Sequence, residues 1–145
     1  MKLEVLVPAS PARVLTGRAL HLAEPISFWG GVSPNDGALI GPHCSQRGKT
    51  VSGRVLFIRE LRGSSSGSSV LLELIHRGIA PSAIVLPEAD AILALGALVA
   101  REMEWTTPAI FRLPVAQQLS VPEDLLLSIA PDGGIIGLDN PERAR

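Results

Sequence analysis

The chain has 145 residues, a formal net charge of −1 and a hydrophobic content of 46%, which together indicate one domain with a sizeable core. It has no basic stretch and no apolar run approaching the ~20 residues of a membrane span, so we expect neither nucleic acid nor a membrane as a partner. One cysteine excludes an internal disulfide and, with three scattered histidines, argues against a metal site within the chain. A cytoplasmic protein is the corresponding expectation.

The first third of the chain is predicted to form three short strands separated by turns. Alternating apolar residues predict a strand over 3–7, which ends at the two prolines that follow. A second strand is predicted over 14–20, with Gly17 as a candidate β-bulge. A third is predicted over 38–40, after the turn-forming Asn35-Asp36-Gly37.

The segment 24–37 is rich in glycine and carries two neighbouring aromatic residues. Gly30 and Gly31 allow the backbone to approach a strand or a ligand closely, and Phe28 and Trp29 would pin an irregular loop to the core. Two interpretations stay open. The segment is either a structural loop or a loop that faces the same cleft as the serine-rich turn described next.

A serine-rich turn, residues 61–69, lies between the predicted buried strand Val55–Ile58 and a predicted helix that stops at Gly78. Ser68 or Ser69 is predicted to cap this helix through its side-chain oxygen. The helix dipole would then favour an anion at the turn.

A flexible linker is the alternative interpretation of such a Gly/Ser run. Both flanking elements, however, belong to the same small core, whereas a linker would separate two domains. Arg62 also places a bidentate anion donor just before the serines. We therefore favour a binding turn.

Three further side chains, His43, Cys44 and His76, are interpreted as incidental. His43 and Cys44 are neighbours in sequence, but a nucleophile and its base normally come from separate segments. His76 lies near the end of the predicted helix and is expected to be a surface residue.

The second half of the chain is predicted to contain one more helix and four strands. Asp90 is predicted to cap a helix over 91–100, which is apolar all round and is expected to be buried against the sheet, with a partner as a further contact. Gly96 permits a close backbone approach within it. The predicted strands are 82–86, 108–112, 125–129 and 134–138, of which the last two form a hairpin around Pro131-Asp132-Gly133. The polar tail from Asn140 is expected to be frayed.

These elements predict a sheet-rich α/β fold with a central βαβ unit and two main helices. The crossover from strand 55–58 through the first helix to strand 82–86 should be right-handed and should join parallel strands.

The order of these features resembles the small, swivelling domain of the aconitase X family. The matching segments run from about residue 26 to residue 100, roughly half of the chain. They are Ser27-Phe28-Trp29-Gly30-Gly31-Val32, Gly48 with Val51-Ser52-Gly53, Arg62-Gly63-Ser64-Ser65-Ser66-Gly67-Ser68, residues 78–84 and residues 91–97. The resemblance implies a single swivelling domain of the β/β/α type over residues 1–145.

The resemblance also implies one part of a two-part hydro-lyase. In the wider aconitase superfamily, a Gly-Ser-Ser turn on this domain presents a serine that removes a proton next to a carboxylate or carbonyl carbon. By position, Ser64 would be this catalytic base, and Arg62, Gly63, Ser65 and Ser66 would bind the substrate. Ser66 stands where the ordinary aconitase turn has a substrate-binding arginine, which fits aconitase X and argues against citrate or isopropylmalate.

A serine that acts as a base needs more stabilisation of its negative charge than this chain provides. A helix end stabilises an anion by ~1 kcal/mol, which moves a pKa by less than about one unit. Closure against a partner therefore has to supply the rest. The superfamily's iron–sulfur cluster is expected in a large aconitase X-type subunit, because Cys44 is the only thiol here. The chain is thus expected to form a heterodimer and to bind no cofactor itself.

Several functions follow from these expectations. We favour dehydration of cis-3-hydroxy-L-proline over dehydration of mevalonate 5-phosphate, because the Ala/Leu/Arg-rich composition without many lysines is typical of bacteria. A non-catalytic anion-binding module that uses the same helix end is the alternative of another class. A serine hydrolase is disfavoured: Gly63-Ser64-Ser65-Ser66-Gly67 fits its nucleophile motif, but the only later histidine, His76, lies on the helix itself.

Overall fold

The computed structural model describes residues 1–138, and the predicted polar tail from Asn140 lies outside them. The strands are β1 (Glu4–Val7), β2 (Leu15–Leu22), β3 (Val55–Ile58), β4 (Ala83–Leu86), β5 (Ala109–Arg112), β6 (Leu126–Ile129) and β7 (Ile135–Gly137). The helices are α1 (Phe28–Gly31), α2 (Gly67–His76), α3 (Ala91–Glu102) and α4 (Val115–Gln118). None of the helices in the described region is long and apolar enough to cross a membrane.

The strands of the described region form one sheet in the order β1-β5-β4-β3-β2-β6-β7. The four strands in the middle, β2 to β5, are parallel to one another, whereas β1, β6 and β7 pair antiparallel at the edges. Helix α2 connects β3 to β4, and α3 connects β4 to β5. The predicted α/β class with a central βαβ unit is confirmed.

The sheet has an apolar core on each face because side chains of a strand alternate in direction. On β3, Leu56 and Ile58 face the core under α2 and α3. Val55 and Phe57 face the opposite core, where they join residues of β6 and β7. Since β6 and β7 belong to the same sheet, the sheet curls over this second core.

Three predicted features of the two main helices are confirmed: the stop of α2, the cap of α3 and the close approach at Gly96. Gly78 ends α2 in the left-handed conformation, with φ of 72°, as a helix C-terminus commonly requires. Asp90 caps α3, accepting a hydrogen bond from the Leu93 amide at 2.9 Å. At Gly96, an added Cβ would lie 2.7 Å from the Ser68 carbonyl oxygen, so the glycine lets the backbones of α2 and α3 approach.

Two strand predictions are wrong in detail. Residues 38–40 form only isolated bridges with neighbouring loop segments, because no strand of the sheet lies beside them. Gly17 is not a bulge, since it pairs with Leu127 in regular register. Glycine is needed at position 17 for another reason, since an added Cβ would lie 2.4 Å from the Gly53 carbonyl oxygen.

Helix α3 is buried against the sheet on one side, as expected, and the contact of its other side with a partner stays a prediction. Leu93, Ala97 and Ala100 face the core, while Leu95 and Leu98 are exposed. The single-turn helices α1 and α4 carry no sequence signal that predicts them. Gln118 of α4 is fully buried and donates hydrogen bonds to two backbone carbonyls, which fixes this short helix beside the end of β3.

Candidate active site

The serine-rich turn leads from β3 into the first residue of α2 and positions Ser64. The Ser64 carbonyl oxygen accepts a hydrogen bond from the Gly67 amide at 2.9 Å. Its Oγ accepts one from the Ser66 amide at 3.3 Å. The half-buried hydroxyl therefore lies at the N-terminal end of a ten-residue helix, where both the amide and the dipole favour negative charge on oxygen.

The predicted cap of α2 by Ser68 or Ser69 is wrong. The helix begins two or three residues earlier than that prediction requires, with Ser66 at the N-cap position and no side-chain capping bond. Because Ser68 and Ser69 already lie within the first turn, their hydroxyls point back along the helix. They donate to the carbonyl oxygens of Ser65 and Ser66, at 3.0 Å and 2.8 Å.

Ser64 opens on a small cavity between the serine-rich turn, α1 and the start of α3, here called the serine cavity. Its lining residues are Ser27, Phe28, Leu61, Arg62, Gly63, Ser64, Gly67, Asp90, Ile92 and Leu93. The volume is about 10 Å³, roughly the minimum that a single water requires. An organic acid does not fit within this cavity.

Arg62 connects the serine cavity with a second, larger space. Its side chain is 71% exposed, and its Nε lies 3.4 Å from a carboxylate oxygen of Glu60. Such a long, solvent-exposed ion pair contributes little. The guanidinium is therefore available to an anionic ligand at either space.

The larger space, here called the loop cleft, has a volume of about 280 Å³. Its lining residues are Glu24, Pro25, Ile26, Ser27, Trp29, Gly30, Gly31, Gly41, Pro42, His43, Cys44 and Arg62. Two backbone hydrogen bonds hold this loop against the segment before the serines, from the Ile26 amide to the Glu60 carbonyl oxygen at 3.1 Å and from the Arg62 amide to the Ile26 carbonyl oxygen at 2.8 Å. The segment 24–37 thus faces the same side as the serine-rich turn.

The two aromatic residues of this loop have different environments. Phe28 is 1% exposed and anchors the loop in the core, whereas Trp29 is 63% exposed. The expectation that both pin the loop is therefore wrong for Trp29. Gly31 allows a close approach, as expected, but the approaching group is the Ile26 side chain, 2.9 Å from the position of an added Cβ.

The predicted site residues are only partly brought together. Arg62, Gly63 and Ser64 line the serine cavity. Ser65 and Ser66 follow in the turn, Ser65 exposed and Ser66 half-buried, and line neither space. The substrate-binding role of all these residues stays a prediction.

Sequence reasoning missed two polar residues of the site, Ser27 and Glu24. Ser27 lines both spaces, and Glu24 lies in the loop cleft. Ser27 begins a segment that carries the family resemblance, but no motif gives either residue a role, because they line a common space with Arg62 only when segments 35 to 38 positions apart meet. His43 and Cys44, interpreted as incidental, are also on the wall of the loop cleft.

The residues of this site do not fit an iron–sulfur cluster. Within residues 1–138, no group of three or more His, Cys, Asp or Glu side chains is placed to hold a metal ion. Cluster ligation requires several thiolates, and Cys44 is a single, half-buried one. No step of the chemistry is assigned to a cluster bound by this chain.

Two known proteins share part of this sequence. A cis-3-hydroxy-L-proline dehydratase of Pseudomonas aeruginosa is 51% identical over 88 residues, which are 61% of this chain and 15% of that protein. A phosphomevalonate dehydratase small subunit of Thermococcus sibiricus is 42% identical over 84 residues, which are 58% of this chain and 65% of that subunit. The chain therefore spans less than two thirds of the length of both relatives.

The fold and the family are confirmed by two further comparisons. The crystal structure of the holo form of Thermococcus kodakaraensis aconitase X superposes with a TM-score of 0.77, covering 97% of this chain and 99% of that one, at 24% sequence identity. The family described as the aconitase X swivel domain matches residues 8–138. This match covers nearly all of the described chain, including the serine-rich turn and both spaces around Arg62, and the chain belongs to the aconitase X swivel domain family.

Proposed function

We propose that this chain is the small subunit of a cytoplasmic, two-part hydro-lyase that dehydrates cis-3-hydroxy-L-proline, and that Ser64 is its catalytic base. The observation that carries the proposal is the position of Ser64. Its hydroxyl lies at the start of α2 beside Arg62, in a cavity of about 10 Å³ that is too small for a substrate. A second, larger subunit has to complete the site.

The chemistry follows from the charges that the turn can accommodate. The Ser64 oxygen takes the proton from the carbon next to the substrate carboxylate. The electron pair of that C–H bond forms the double bond, and the hydroxyl group on the neighbouring carbon leaves as water with a proton from a general acid of the large subunit. Ser64 then releases its proton and is restored as the base. Arg62 binds the carboxylate and lowers the energy of the charge that develops on it. Gly63, Ser65 and Ser66 place backbone and hydroxyl donors along the same turn.

Closure of the two subunits is an essential part of this proposal. Ser64 gains too little from the helix end to ionise at neutral pH. Exclusion of water by the large subunit strengthens the interactions with Arg62 and with the turn amides. We place any iron–sulfur cluster in the large subunit, and we expect the small subunit alone to be inactive.

The choice of substrate is supported by the 51% identity to the Pseudomonas dehydratase. Phosphomevalonate is the alternative, supported by the 42% identity to a relative that is itself named a small subunit. A non-catalytic anion-binding module is the alternative of another class. That function predicts that the chain alone binds inorganic phosphate tightly and forms no complex with a large aconitase X-type subunit.

The decisive experiment is Ser64→Ala in the purified complex with the large subunit, assayed for loss of water from cis-3-hydroxy-L-proline and from mevalonate 5-phosphate. We expect kcat to fall by about 100-fold or more, the usual effect of removing a general base. Ser69→Ala is the matched control, because the Ser69 hydroxyl is bonded to the Ser66 carbonyl oxygen inside the helix. A Ser64→Ala variant that keeps half of the wild-type kcat would show that another group is the base.

A further inference from the structure

The loop cleft is lined by one cationic and one anionic side chain. Arg62 and Glu24 line it together, with His43 and Cys44 as the other ionisable residues of its wall. Arg62 is largely exposed and free to turn toward a ligand. A cleft with both signs of charge suits a zwitterion, since a phosphorylated acid would meet one arginine and one repelling carboxylate.

Glu24 is held in position rather than free in solvent. Its carboxylate accepts hydrogen bonds from both the backbone amide and the hydroxyl of Ser45, the latter at 3.1 Å. These bonds stabilise the charged form and lower the pKa of the Glu24 carboxyl. Each carboxylate oxygen keeps further acceptor capacity, so a cationic donor can still bind.

The backbone keeps Glu24 close to the serine-rich turn. The backbone of Ile26 forms hydrogen bonds with the backbone of Glu60 and of Arg62. Glu24 lies only two residues before Ile26 in the chain. Trp29 and Gly30 also line this cleft, and the face of an indole attracts an organic cation. The cleft therefore has, among its lining residues, both an acceptor for an ammonium group and a donor for a carboxylate.

We infer that Glu24 is a specificity-determining residue, which binds the ring ammonium of an amino-acid substrate while Arg62 binds its carboxylate. This inference rests on the proposed function and deepens it. In cis-3-hydroxy-L-proline the carboxylate is attached to the carbon next to the ring ammonium, whereas mevalonate 5-phosphate carries no cation. Glu24 thereby selects the amino acid and rejects the phosphorylated acid.

The test compares two inhibitors in the complex with the large subunit. L-Proline and tetrahydrofuran-2-carboxylate have nearly the same shape, but the second has an oxygen in place of the ring ammonium. We expect Glu24→Gln to weaken inhibition by L-proline about 10-fold or more and to leave inhibition by the oxygen analogue unchanged. The KM for cis-3-hydroxy-L-proline should rise by a similar factor, with kcat within about threefold of wild type.

Two further variants make the result specific. Glu24→Asp keeps the charge and should restore most of the preference for L-proline. Glu73→Gln removes a carboxylate from the outer face of α2, where it pairs with Arg77 at 2.6 Å, and should change neither inhibitor.

Equal weakening of both inhibitors by Glu24→Gln would show a merely structural role, and no change in either would show no contact; both outcomes overturn the inference. If the wild-type complex dehydrates only mevalonate 5-phosphate, the proposed substrate fails as well. If it dehydrates the hydroxyproline and Glu24→Gln behaves as wild type, only the inference about Glu24 fails.

Discussion

His21 is a histidine that β2 buries in the core of the protein, with 7% of its surface exposed. Its ring stacks on Phe57 with centroids 4.7 Å apart, and its Nε2 lies 2.8 Å from the Val121 carbonyl oxygen. Nδ1 has no partner among the described residues. This environment suits a neutral imidazole that donates through Nε2, and burial lowers the pKa of His21 below its ordinary 6.5, against the opposing effects of the Val121 carbonyl and Glu123.

The lowered pKa of His21 predicts a loss of stability in mild acid. Above about pH 6.5 the imidazole is neutral in both states, so it adds no pH dependence. As pH falls below that value, the unfolded chain binds the proton first, and the free energy of unfolding decreases until the folded-state pKa is passed. We expect the free energy of unfolding, measured in urea, to decrease as pH is lowered from 7.5 to 5.5, by at most ~1.4 kcal/mol per pH unit from this group.

The measurement compares wild type with His21→Phe, which keeps the stacking on Phe57 but has no titrating group. The variant should show a smaller difference between the two pH values, whatever its absolute stability. Between pH 7.5 and 5.5 the carboxyl groups of Glu24, Asp36 and Asp132 do not contribute to the change. Their pKa values are lowered in the folded protein, so their contribution to stability is lost only near pH 4 and below. Identical pH dependence in both proteins would contradict a neutral, buried His21.

At the level of elements, the contact between α2 and α3 fixes the position of the serine-rich turn. Gly96 of α3 lies against Ser68, in the first turn of α2. Gly96→Ala should therefore destabilise the protein by about 1–3 kcal/mol, because the added methyl would push against the Ser68 carbonyl. The sign of this change in stability is informative, because helix propensity alone would make the alanine variant more stable by ~1 kcal/mol.

Denaturant unfolding gives the stability, and Leu95→Ala on the exposed face of α3 is the control, expected to change it by no more than about 0.5 kcal/mol. Because Ser68 moves with the turn that carries Ser64, Gly96→Ala should also lower kcat in the complex. A more stable Gly96→Ala variant would mean that the helices separate at no cost and that their spacing does not position Ser64.

Local signals in the sequence predict the elements around Gly96 well, for identifiable reasons. The Asp90 cap and the Gly78 stop depend on a few adjacent residues, and strands β3 and β4 are short apolar runs covered on both faces. The cap of α2 is misplaced by a few residues, because any of several consecutive serines satisfies the same rule. The strand over 38–40 fails because pairing depends on a neighbour that sequence alone does not supply.

For the whole molecule, the loop cleft is the feature that sequence reasoning could least predict. It forms where segment 24–31, segment 41–44 and Arg62 meet, after a long irregular connection between β2 and β3. Each segment has a weak signal of its own, and only the parallel pairing of β2 with β3 brings their ends to one side. The family resemblance implies roles for Ser64 and Arg62, but it assigns no role to Glu24.

The exposed Trp29 gives a direct test of closure by a large subunit. At 63% exposure, beside Arg62 in the loop cleft, its indole should lose water when the two subunits close over the site. We expect its fluorescence to shift to shorter wavelength, and the indole to become less accessible to acrylamide, on titration with the large subunit.

Subtracting the same titration of Trp29→Phe removes the contributions of Trp105 and of the partner. Trp105→Phe is the matched control and should keep the shift, since Trp105 is half-buried against His76. A stable complex in which Trp29 stays as accessible as in the free chain would show that the large subunit binds another face, and that Ser64 and Arg62 do not lie at the interface.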